Sequence, residues 1–402
     1  MANNWTYKKI EDIAEKVGMG PFGSSIKVET FVPDGIPVVS GQHLHGFRLD
    51  EDAGFNFVTE EHADKLKNAN VFRGDIIFTH AGNIENVAYI PETSKYERYV
   101  ASQRQFYMRC DLSKILPSFV VYYFNSHEGK YKLTANSSSV GVPSIAQPVS
   151  YLRKLEIPVP PLPEQRAIAG ILGALDDKIE LNRRMNRTLE SMARAVFRQW
   201  FVENEDAGNW EAARIKDVCG KVENGGTPRR DQPKYWEPGT IPWLTSGEVR
   251  QEIIISTENK ISEDGYKNSS AKMWGKGTTV VALYGATAGE VSFIAHELCA
   301  NQACCGLVPS DGWRYFIYLT LSASENSLAS QARGSAQQNL SQQIVADFSI
   351  RKPDQKLLDD FNQIVAPMFD QWIANLKESR TLASLRDSLL PKLMKGEVRV
   401  KE

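Results

Sequence analysis

Polar side chains in glycine-bearing loops occur in two groups, one in each half of the chain, and their chemistry suits hydrogen bonding to nucleic acid. Arg and Lys suit guanine, Asn and Gln suit adenine, and Ser or Thr suits phosphate oxygens. The first group is Ser24, Ser25, Lys27, Gln42, His43, His45, His80, Asn83, Gln103 and Arg104. The second group is Thr227, Arg229, Arg230, Ser246, Arg250, Tyr284, Thr287, Asn301 and Gln302. Any one of them could instead be a turn former, and we expect about half of them to contact DNA.

Sequence motifs of common catalytic sites are missing from both halves. No phosphate-binding P-loop is present, and GATAGE at 285–290 lacks the lysine that would grip phosphate. Neither a G-x-S-x-G nucleophile elbow nor the Asn/Asp-Pro-Pro-aromatic signature of adenine methyltransferases occurs. Asp354, in a Pro-Asp-Gln-Lys segment, is better explained as a helix N-cap than as part of a nuclease site. The sequence therefore predicts a binding protein and not an enzyme.

One cluster of residues has the types that bind metals, and its spacing is poor for that purpose. His296, Cys299, Cys304 and Cys305 include no C-x-x-C pair, and adjacent cysteines make poor tetrahedral ligands. Buried cysteines in a strand explain the pattern better, so we expect no metal in this chain. The odd total of five cysteines also favours a reducing compartment over a disulfide framework.

The elements that position these loops are repeated about 205 residues apart along the chain. WTYKKIEDIAEKV at 5–17 corresponds to WEAARIKDVCGKV at 210–222, and GIPVVSGQ corresponds to GTIPWLTSGEV. Short β-branched runs bounded by Gly, Pro, Asn and Ser predict strands and loops in both halves, with helical patches at 117–128 and 312–322. The two copies differ between these motifs, so their binding specificities should differ.

Each half ends in a long segment with apolar residues at alternating four- and three-residue steps, which is typical of a coiled-coil seam. The seam of the first is Ile168, Leu172, Leu175, Ile179, Asn182, Leu189 and Val196, with Asn186 in the same row. The seam of the second is Phe361, Val365, Met368, Trp372, Asn375, Leu382 and Leu389. About 36 helical residues make a rod of roughly 54 Å.

The simplest arrangement of the two helices is an antiparallel pair in which the asparagines fix the register. The alternative is two independent helices, each packed on its own globule. Pro367 falls within the second helix, where we expect it to kink the helix or to break its first third.

The chain has 402 residues, enough for several domains, and no apolar stretch long enough to span a membrane. The predicted fold class is α+β, with globules at 1–159 and 206–350 and helical regions at 160–205 and 351–402. A net charge of −2 gives no bulk basic surface, so composition alone does not indicate the ligand.

Several segments together resemble the specificity subunit of Type I restriction–modification systems, over the whole chain. PPLPEQRAIAGILGALDDKIELNRRMNRTLESMARAVFRQWF at 160–201 is similar to the central conserved region of that family, and LRDSLLPKLMKGEV to its distal one. IPWLTSGEV and the Gly-Ser…Asn-Leu-Ser segment at 334–341 resemble marks of its target recognition domains.

The resemblance implies two target recognition domains that read the halves of an asymmetric, interrupted site in double-stranded DNA, with the helices as a spacer. It implies two methyltransferase subunits that flip an adenine in each half and methylate it, and two restriction/motor subunits. S-adenosylmethionine, ATP and Mg²⁺ would be bound by those partners and no cofactor by this chain. A cytoplasmic location in a bacterium or archaeon and a role in phage defence follow from the same resemblance. The alternatives are a single-chain modification enzyme and a coiled-coil adaptor that binds only proteins.

Overall fold

The computed structural model describes residues 5–23, 25–138, 141–331 and 339–399, and the chain divides into two compact units. The first unit comprises Met1–Ile179 and Thr381–Glu402, and the second comprises Glu180–Arg380. These boundaries differ from the four regions predicted from sequence because each long helix contributes one part to each unit. No helix in the described ranges is both long enough and apolar enough to cross a bilayer.

The first unit contains two four-stranded sheets and short helices. Its strands are β1 Thr6–Lys9, β2 Ala14–Met19, β3 Ile36–Val39, β4 Asn56–Val58, β5 Asn70–Phe72, β6 Ile76–Thr79, β7 Val87–Tyr89, β8 Arg98–Ala101, β9 Gln105–Cys110, β10 Ser137–Ser138, β11 Ser144–Ile145 and β12 Glu156–Val159. Its short helices are α1 Ile10–Ile13, α2 Glu60–Lys65, α3 Pro117–Asn125, α4 His127–Thr134 and α5 Pro148–Lys154.

The second unit is built from the corresponding elements, and the first long helix, α6 Leu162–Phe197, leads into it. Its strands are β13 Glu211–Arg214, β14 Cys219–Asn224, β15 Ile241–Leu244, β16 Ile253–Ile254, β17 Asn259–Ile261, β18 Met273–Trp274, β19 Thr279–Ala282, β20 Val291–Ile294, β21 Leu298–Ala300, β22 Cys304–Pro309 and β23 Ser349–Lys352. Its helices are α7 Glu263–Lys267, α8 Arg314–Ser322, α9 Glu325–Ser330 and α10 Gln342–Ala346, and the second long helix is α11 Gln355–Met394.

Strand order shows that the sequence repeat is a structural repeat. One sheet of the first unit runs β2-β9-β6-β7, and its counterpart runs β14-β22-β19-β20 with β16 added at the edge. The other sheets run β4-β3-β8-β5 and β17-β15-β21-β18. The latter sheet contains a parallel pair in each unit, β3 with β8 in the first and β15 with β21 in the second. The predicted α+β class and the predicted repeat are both confirmed.

The helical patches predicted at 117–128 and 312–322 are α3 and α8, and each fills the centre of its unit. Phe119, Val120, Val121 and Phe124 of α3 are fully buried. In α8, Ile317 and Leu321 are likewise fully buried. Burying one such side chain contributes about 1.5–3 kcal/mol, so these helices are central to the stability of each unit.

The second long helix begins as the sequence predicts and continues through its proline. Asp354 Oδ1 accepts a hydrogen bond from the backbone N–H of Leu357 at 2.8 Å, which confirms it as the N-cap. The expected break at Pro367 is wrong, because α11 is one helix from Gln355 to Met394. Pro367 lies on the exposed face, while Val365 and Phe369 on either side are fully buried and hold the helix in place.

Within the first unit, the two long helices run antiparallel and share one core. Ile168 and Leu172 of α6 belong to the same buried cluster as Leu390 and Leu393 of α11. One helical turn further along α6, the Asp176 carboxylate accepts a hydrogen bond from the Arg386 guanidinium at 2.8 Å, and both side chains are largely buried. Later residues of α6 therefore contact earlier residues of α11, which shows that the two helices run in opposite directions.

Within the second unit, the helices are again antiparallel, and asparagines lie between them. Asn375 Nδ2 donates to Asn186 Oδ1 at 2.9 Å, and Asn182 Nδ2 donates to the Glu378 carboxylate at 2.8 Å and more weakly to the Asn375 carbonyl at 3.4 Å. The direct partner of Asn375 is therefore Asn186, one turn from Asn182. Aromatic contact follows at the far end, where the Phe201 and Phe361 ring centroids lie 4.8 Å apart.

The residues of the predicted seam all lie on the packed faces of the two helices. The buried ones are Ile168, Leu172, Asn182, Phe361, Val365, Trp372 and Asn375. The half-buried ones are Leu175, Ile179, Leu189, Val196, Met368, Leu382 and Leu389. Phe197 and Phe369, which the seam did not include, are also buried because they contact the second globule and not only the other helix.

We predict that Asn186→Ala lowers the free energy of unfolding by about 1–3 kcal/mol, because it leaves the buried Asn375 amide without its acceptor. Replacing both asparagines by leucine should cost less than this single change, since no buried donor is then left unpaired. Equilibrium urea unfolding of the full chain measures both effects. Arg184→Ala, at an exposed position of the same helix, is the matched control, and equal stability of Asn186→Ala and this control would contradict the assignment.

Candidate nucleic-acid interface

The predicted binding residues of the first unit come from loops that leave one edge of its sheets. Strands β3 and β8 are parallel, and their carboxyl ends meet where the backbone N–H of Ser102 donates to the Val39 carbonyl at 2.9 Å. The end of β2 joins the same edge, since Gly20 N–H donates to the Gln105 carbonyl at 2.8 Å. The loops after β2, β3 and β6 and the β8–β9 turn therefore lie together.

Hydrogen bonds tie these loops to one another. The Gln103 side-chain amide donates to the Ile26 carbonyl at 2.6 Å, and His80 Nε2 donates to the Gln103 carbonyl at 2.9 Å. His80 N–H also donates to the Arg104 carbonyl at 2.9 Å. Loops that are cross-linked in this way present their exposed side chains from a fixed frame, which reduces the entropy lost when a ligand binds.

The second unit forms the same edge from its corresponding loops. Gly226 N–H donates to the Ala300 carbonyl at 2.8 Å, and Leu283 N–H donates to the Ala303 carbonyl at 2.8 Å. The hydroxyl of Thr227 is hydrogen-bonded to the side-chain oxygen of Gln302. The sequence repeat therefore places two equivalent sets of candidate residues, one in each unit.

Glycine at the base of the first loop of each edge is required by the close approach of two backbones. A Cβ atom on Gly20 would lie 1.8 Å from the Ser102 carbonyl oxygen, and one on Gly225 would lie 2.3 Å from the Ala300 carbonyl oxygen. No side chain fits at such distances. These glycines bring the loop against the neighbouring turn, and so they position the polar residues that follow.

Exposure separates the predicted binding residues into three classes. The exposed ones are Lys27, Gln42, His45, Asn83, Arg104, Arg229, Arg230, Arg250, Tyr284 and Gln302. The half-buried ones are Ser25, His80, Gln103, Thr227, Ser246 and Asn301, and the buried ones are His43 and Thr287. Ser24 and most of the 334–341 motif lie outside the described residues.

His43 is buried, and both of its ring nitrogens are hydrogen-bonded within its own unit, so its contact with DNA stays a prediction. Its Nδ1 accepts a hydrogen bond from Ser40 N–H at 2.9 Å, so Nε2 carries the proton and donates to the Gly54 carbonyl at 2.8 Å. Burial lowers the pKa of His43 and keeps the ring neutral, as this bonding requires.

The equivalent of His43 in the second unit is Glu248, and it makes the same two connections. The Glu248 carboxylate accepts from Thr245 N–H at 2.9 Å and from Glu258 N–H at 2.9 Å. Either residue closes the turn after the strand by bonding to the backbone three residues earlier and to a loop ten or eleven residues later. The repeat aligns SGQH at 40–43 with TSGE at 245–248, and so places His43 opposite Glu248. Because histidine and glutamate can both accept a backbone hydrogen bond, this alignment could have indicated their common role.

Thr287 is also buried, and its contact with DNA likewise stays a prediction. Its side chain is 4% exposed, and its carbonyl accepts the N–H of Glu290 at 2.9 Å. The residue closes the turn after β19, and Tyr284 is the exposed aromatic side chain of that loop.

Arg229 and Arg230 are both exposed, yet their surroundings differ. The Arg229 guanidinium donates to Asp231 at 2.8 Å and holds the pKa of that carboxyl below its usual range. The Arg230 guanidinium lies over the ring of Trp236 at 5.0 Å and is 5.7 Å from that of Trp243. Stacking fixes the guanidinium plane without using its N–H donors, so Arg230 is the better prepared to bind a base edge. The sequence analysis did not include Trp236 among the site residues. The signal that could have found it is an aromatic residue six positions after Arg230 in the same loop.

The cysteine cluster is part of the sheets of the second unit. Cys299, Cys304 and Cys305 are buried in β21 and β22, and burial raises the pKa of the thiols of Cys299 and Cys305 to about 12. No group of three metal-ligating side chains comes together among the residues that the structure describes.

Proteins of related sequence carry consistent names. The chain is 26% identical over 424 aligned residues to the Type I restriction enzyme MjaIX specificity subunit of Methanocaldococcus jannaschii, covering 99% of this chain and 94% of the relative. It is 23% identical to the Type I restriction enzyme HindI specificity subunit of Haemophilus influenzae, covering 81% and 87% respectively.

A solved structure shares the fold. The S subunit of a Type I restriction–modification system from M. genitalium aligns with a TM-score of 0.63 at 17% identity, covering 98% of this chain and 97% of that one. The family model described as Type I restriction modification DNA specificity domain matches twice, at residues 2–191 and 207–382. The two matches cover most of both units and most of each long helix, and the chain belongs to the Type I restriction–modification specificity subunit family.

Proposed function

We propose that this chain reads a two-part DNA site, one half with each unit, and carries the subunits that modify the DNA. The observation that supports this most directly is the repeated edge, which collects the exposed candidate residues of each unit on equivalent loops. Exposed arginine, lysine, glutamine and asparagine side chains on these loops match the donors and acceptors of base edges in the major groove.

The two half-sites differ in sequence under this proposal. Equivalent positions in the repeated frame carry different chemistry, with His80 opposite Leu283, Ala81 opposite Tyr284 and Arg104 opposite Ala303. Histidine and arginine donate hydrogen bonds to guanine, and tyrosine offers one hydroxyl, whereas leucine and alanine offer only apolar contact. A protein with such unlike edges recognises a target that is not a palindrome.

Mapping of methylated adenines by the chain assembled with its methyltransferase subunit tests the proposal. Two fixed base patterns separated by a constant gap of unspecified bases are the expected result. Absence of any sequence pattern, together with no protection in footprinting, would leave the protein-only adaptor as the function.

Arg230→Ala should relax recognition in one half-site only, because its guanidinium belongs to one edge. The expected loss of binding free energy is about 1–3 kcal/mol for duplexes that have the native base at the position Arg230 contacts. Duplexes already altered at that position should lose little. Competition binding with single-base variants of both half-sites measures this. Lys260→Ala, at an exposed position of the same unit, is the control. A uniform loss across all duplexes would show that Arg230 binds phosphate and not a base.

Catalysis would belong to the partners. In the proposed complex, methyltransferase subunits bind S-adenosylmethionine and methylate the N6 atom of a flipped adenine, and restriction/motor subunits bind ATP and Mg²⁺. Two copies of each partner match the two reading units. This chain contributes recognition and position.

The exposed side of α6 offers a surface for such a partner. Within the second unit, Leu181, Met185 and Met192 are 47%, 37% and 47% exposed. With Thr188 they follow the four-three spacing of a second helical seam beside the buried one. Exposed apolar side chains at this spacing suit an amphipathic helix of another subunit.

Replacing Leu181, Met185 and Met192 by glutamine should weaken assembly with the methyltransferase subunit at least tenfold and leave the fold intact, since no core contact is removed. Size-exclusion chromatography with light scattering, at a series of concentrations, measures the association. Tyr131→Gln, which alters an exposed aromatic side chain on α4, is the control. Unchanged assembly of the triple variant would rule out this surface.

The helix pair also provides a spacer whose length can be changed in register. Insertion of one heptad into α6 and one into α11 preserves the seam and lengthens the pair by about 10 Å, at ~1.5 Å per residue. If the helices set the distance between half-sites, the unspecified gap grows by about three base pairs, at ~3.4 Å per step. Methylation mapping reads the gap. A four-residue insertion into α6 alone breaks the register and serves as the contrast, and an unchanged gap in the active paired-heptad variant would refute the spacer.

A further inference from the structure

A cleft of about 730 Å³ lies in the first unit beside the edge strand β2. It is next to the loops after β2, β3 and β6 that carry the candidate binding residues, which we call the reading loops. Its walls include Val17, Gly18 and Met19 of β2 and the turn that follows α2, with α5 closing one side. The cleft continues at Pro21 and Phe22 into the loop that carries Ser25 and Lys27. It contains none of the predicted binding residues.

The charged side chains of this cleft are all basic. Lys16, Lys65, Lys67 and Arg153 line it, and no carboxylate does so among its described lining residues. The chain as a whole has 47 basic and 49 acidic residues, so a cluster of four cations is a local departure from a balanced surface. Cations that outnumber the carboxylates around them raise the local potential and attract anions.

Three of the four cations have no carboxylate partner. Lys65 pairs with Glu61 at 2.7 Å, but Lys16, Lys67 and Arg153 form no ion pair within the described ranges. Lys16 Nζ lies 5.6 Å from the centroid of the Tyr107 ring, and Arg153 donates to the Val17 carbonyl at 3.4 Å. These contacts orient the two side chains while leaving their charges unneutralised.

The second unit does not repeat this charge. Lys221 corresponds to Lys16, but strand pairing aligns Arg153 with Ala346, and it is Gln342, at the start of α10, whose side-chain amide donates to the Val222 carbonyl at 2.8 Å. The bond to the edge strand is therefore kept and the cation is lost. Because a neutral amide makes the corresponding bond in the second unit, the bond itself does not require a positive charge.

We propose that this cleft binds the sugar–phosphate backbone of DNA that flanks the half-site read by the first unit. This inference rests on the proposed function and adds to it a second, sequence-independent contact on one side only. Lys16, Lys67 and Arg153 each bind a phosphate, and Phe22, which is 79% exposed, stands between the cleft and the reading loops. Phosphate contacts of this kind fix register and orientation, while base contacts select the sequence.

The test is the salt dependence of specific DNA binding by the chain in complex with its methyltransferase subunit. Each phosphate contact contributes about −0.9 to the slope of log affinity against log salt concentration. The Lys16→Gln, Lys67→Gln, Arg153→Gln triple variant should therefore show a slope less steep by about two to three, with the methylated sequence unchanged. Lys67→Gln alone, at an exposed turn, should reduce the slope by about one and cannot disturb the core.

A control removes the same charge from elsewhere in the first unit. Lys8, Lys9 and Lys95 are exposed and do not line the cleft, so their combined replacement by glutamine should leave the slope near that of the wild type. Equal slopes for the two triple variants would overturn the inference, and so would a changed methylated sequence, which would mean that the cleft reads bases. If the wild-type complex shows no sequence-specific binding, the proposed function itself is wrong, and the two failures are distinguishable.

Discussion

The packing of both long helices into the core of each unit is the constraint on which the rest of the structure depends. Ile168 and Leu172 are buried with Leu390 and Leu393 in the first unit, and Ala193 and Phe197 are buried with Phe361 and Val365 in the second. Each helix therefore contributes to two cores. A change of register between the helices would displace apolar side chains in both cores, at a cost of about 1.5–3 kcal/mol for each side chain exposed.

Polar contacts between the helices determine which register those apolar contacts adopt. Leucine and valine pack with little directional preference, whereas an amide that is buried needs its partner at one position. The pair Asn186 and Asn375 is such a position-specific contact in the second unit, and the pair Asp176 and Arg386 is one in the first. Tyr122 adds a hydrogen bond to Asp176 at 2.6 Å, which connects the globule of the first unit to the same contact.

Much of this architecture was predictable because it depends on periodicity and on repetition. The four-three spacing predicted both long helices, and the 205-residue repeat predicted two equal strand arrangements. What sequence could not predict is which polar residues the fold itself uses. His43 and Gln42 are adjacent and equally polar. Only the backbone geometry of Ser40 and Gly54 shows that the His43 ring is buried and hydrogen-bonded to the turn, while Gln42 is exposed. Pro367 illustrates the same limit. The helix continues through this proline, which lies on its solvent-facing side, and the sequence alone does not show that side.

The closing of a turn by His43 in one unit and by Glu248 in the other separates two kinds of position within each edge. The base of the edge is set by a backbone-bonded residue and, in a neighbouring loop, by a glycine at closest approach, whereas the exposed side chains make contacts, such as that of Arg230 with Trp236, that do not close the turn. Specificity can therefore diverge at the exposed positions without loss of the frame. Libraries made to retarget this protein should hold Gly20, His43, Gly225 and Glu248 constant and vary only the exposed residues between them.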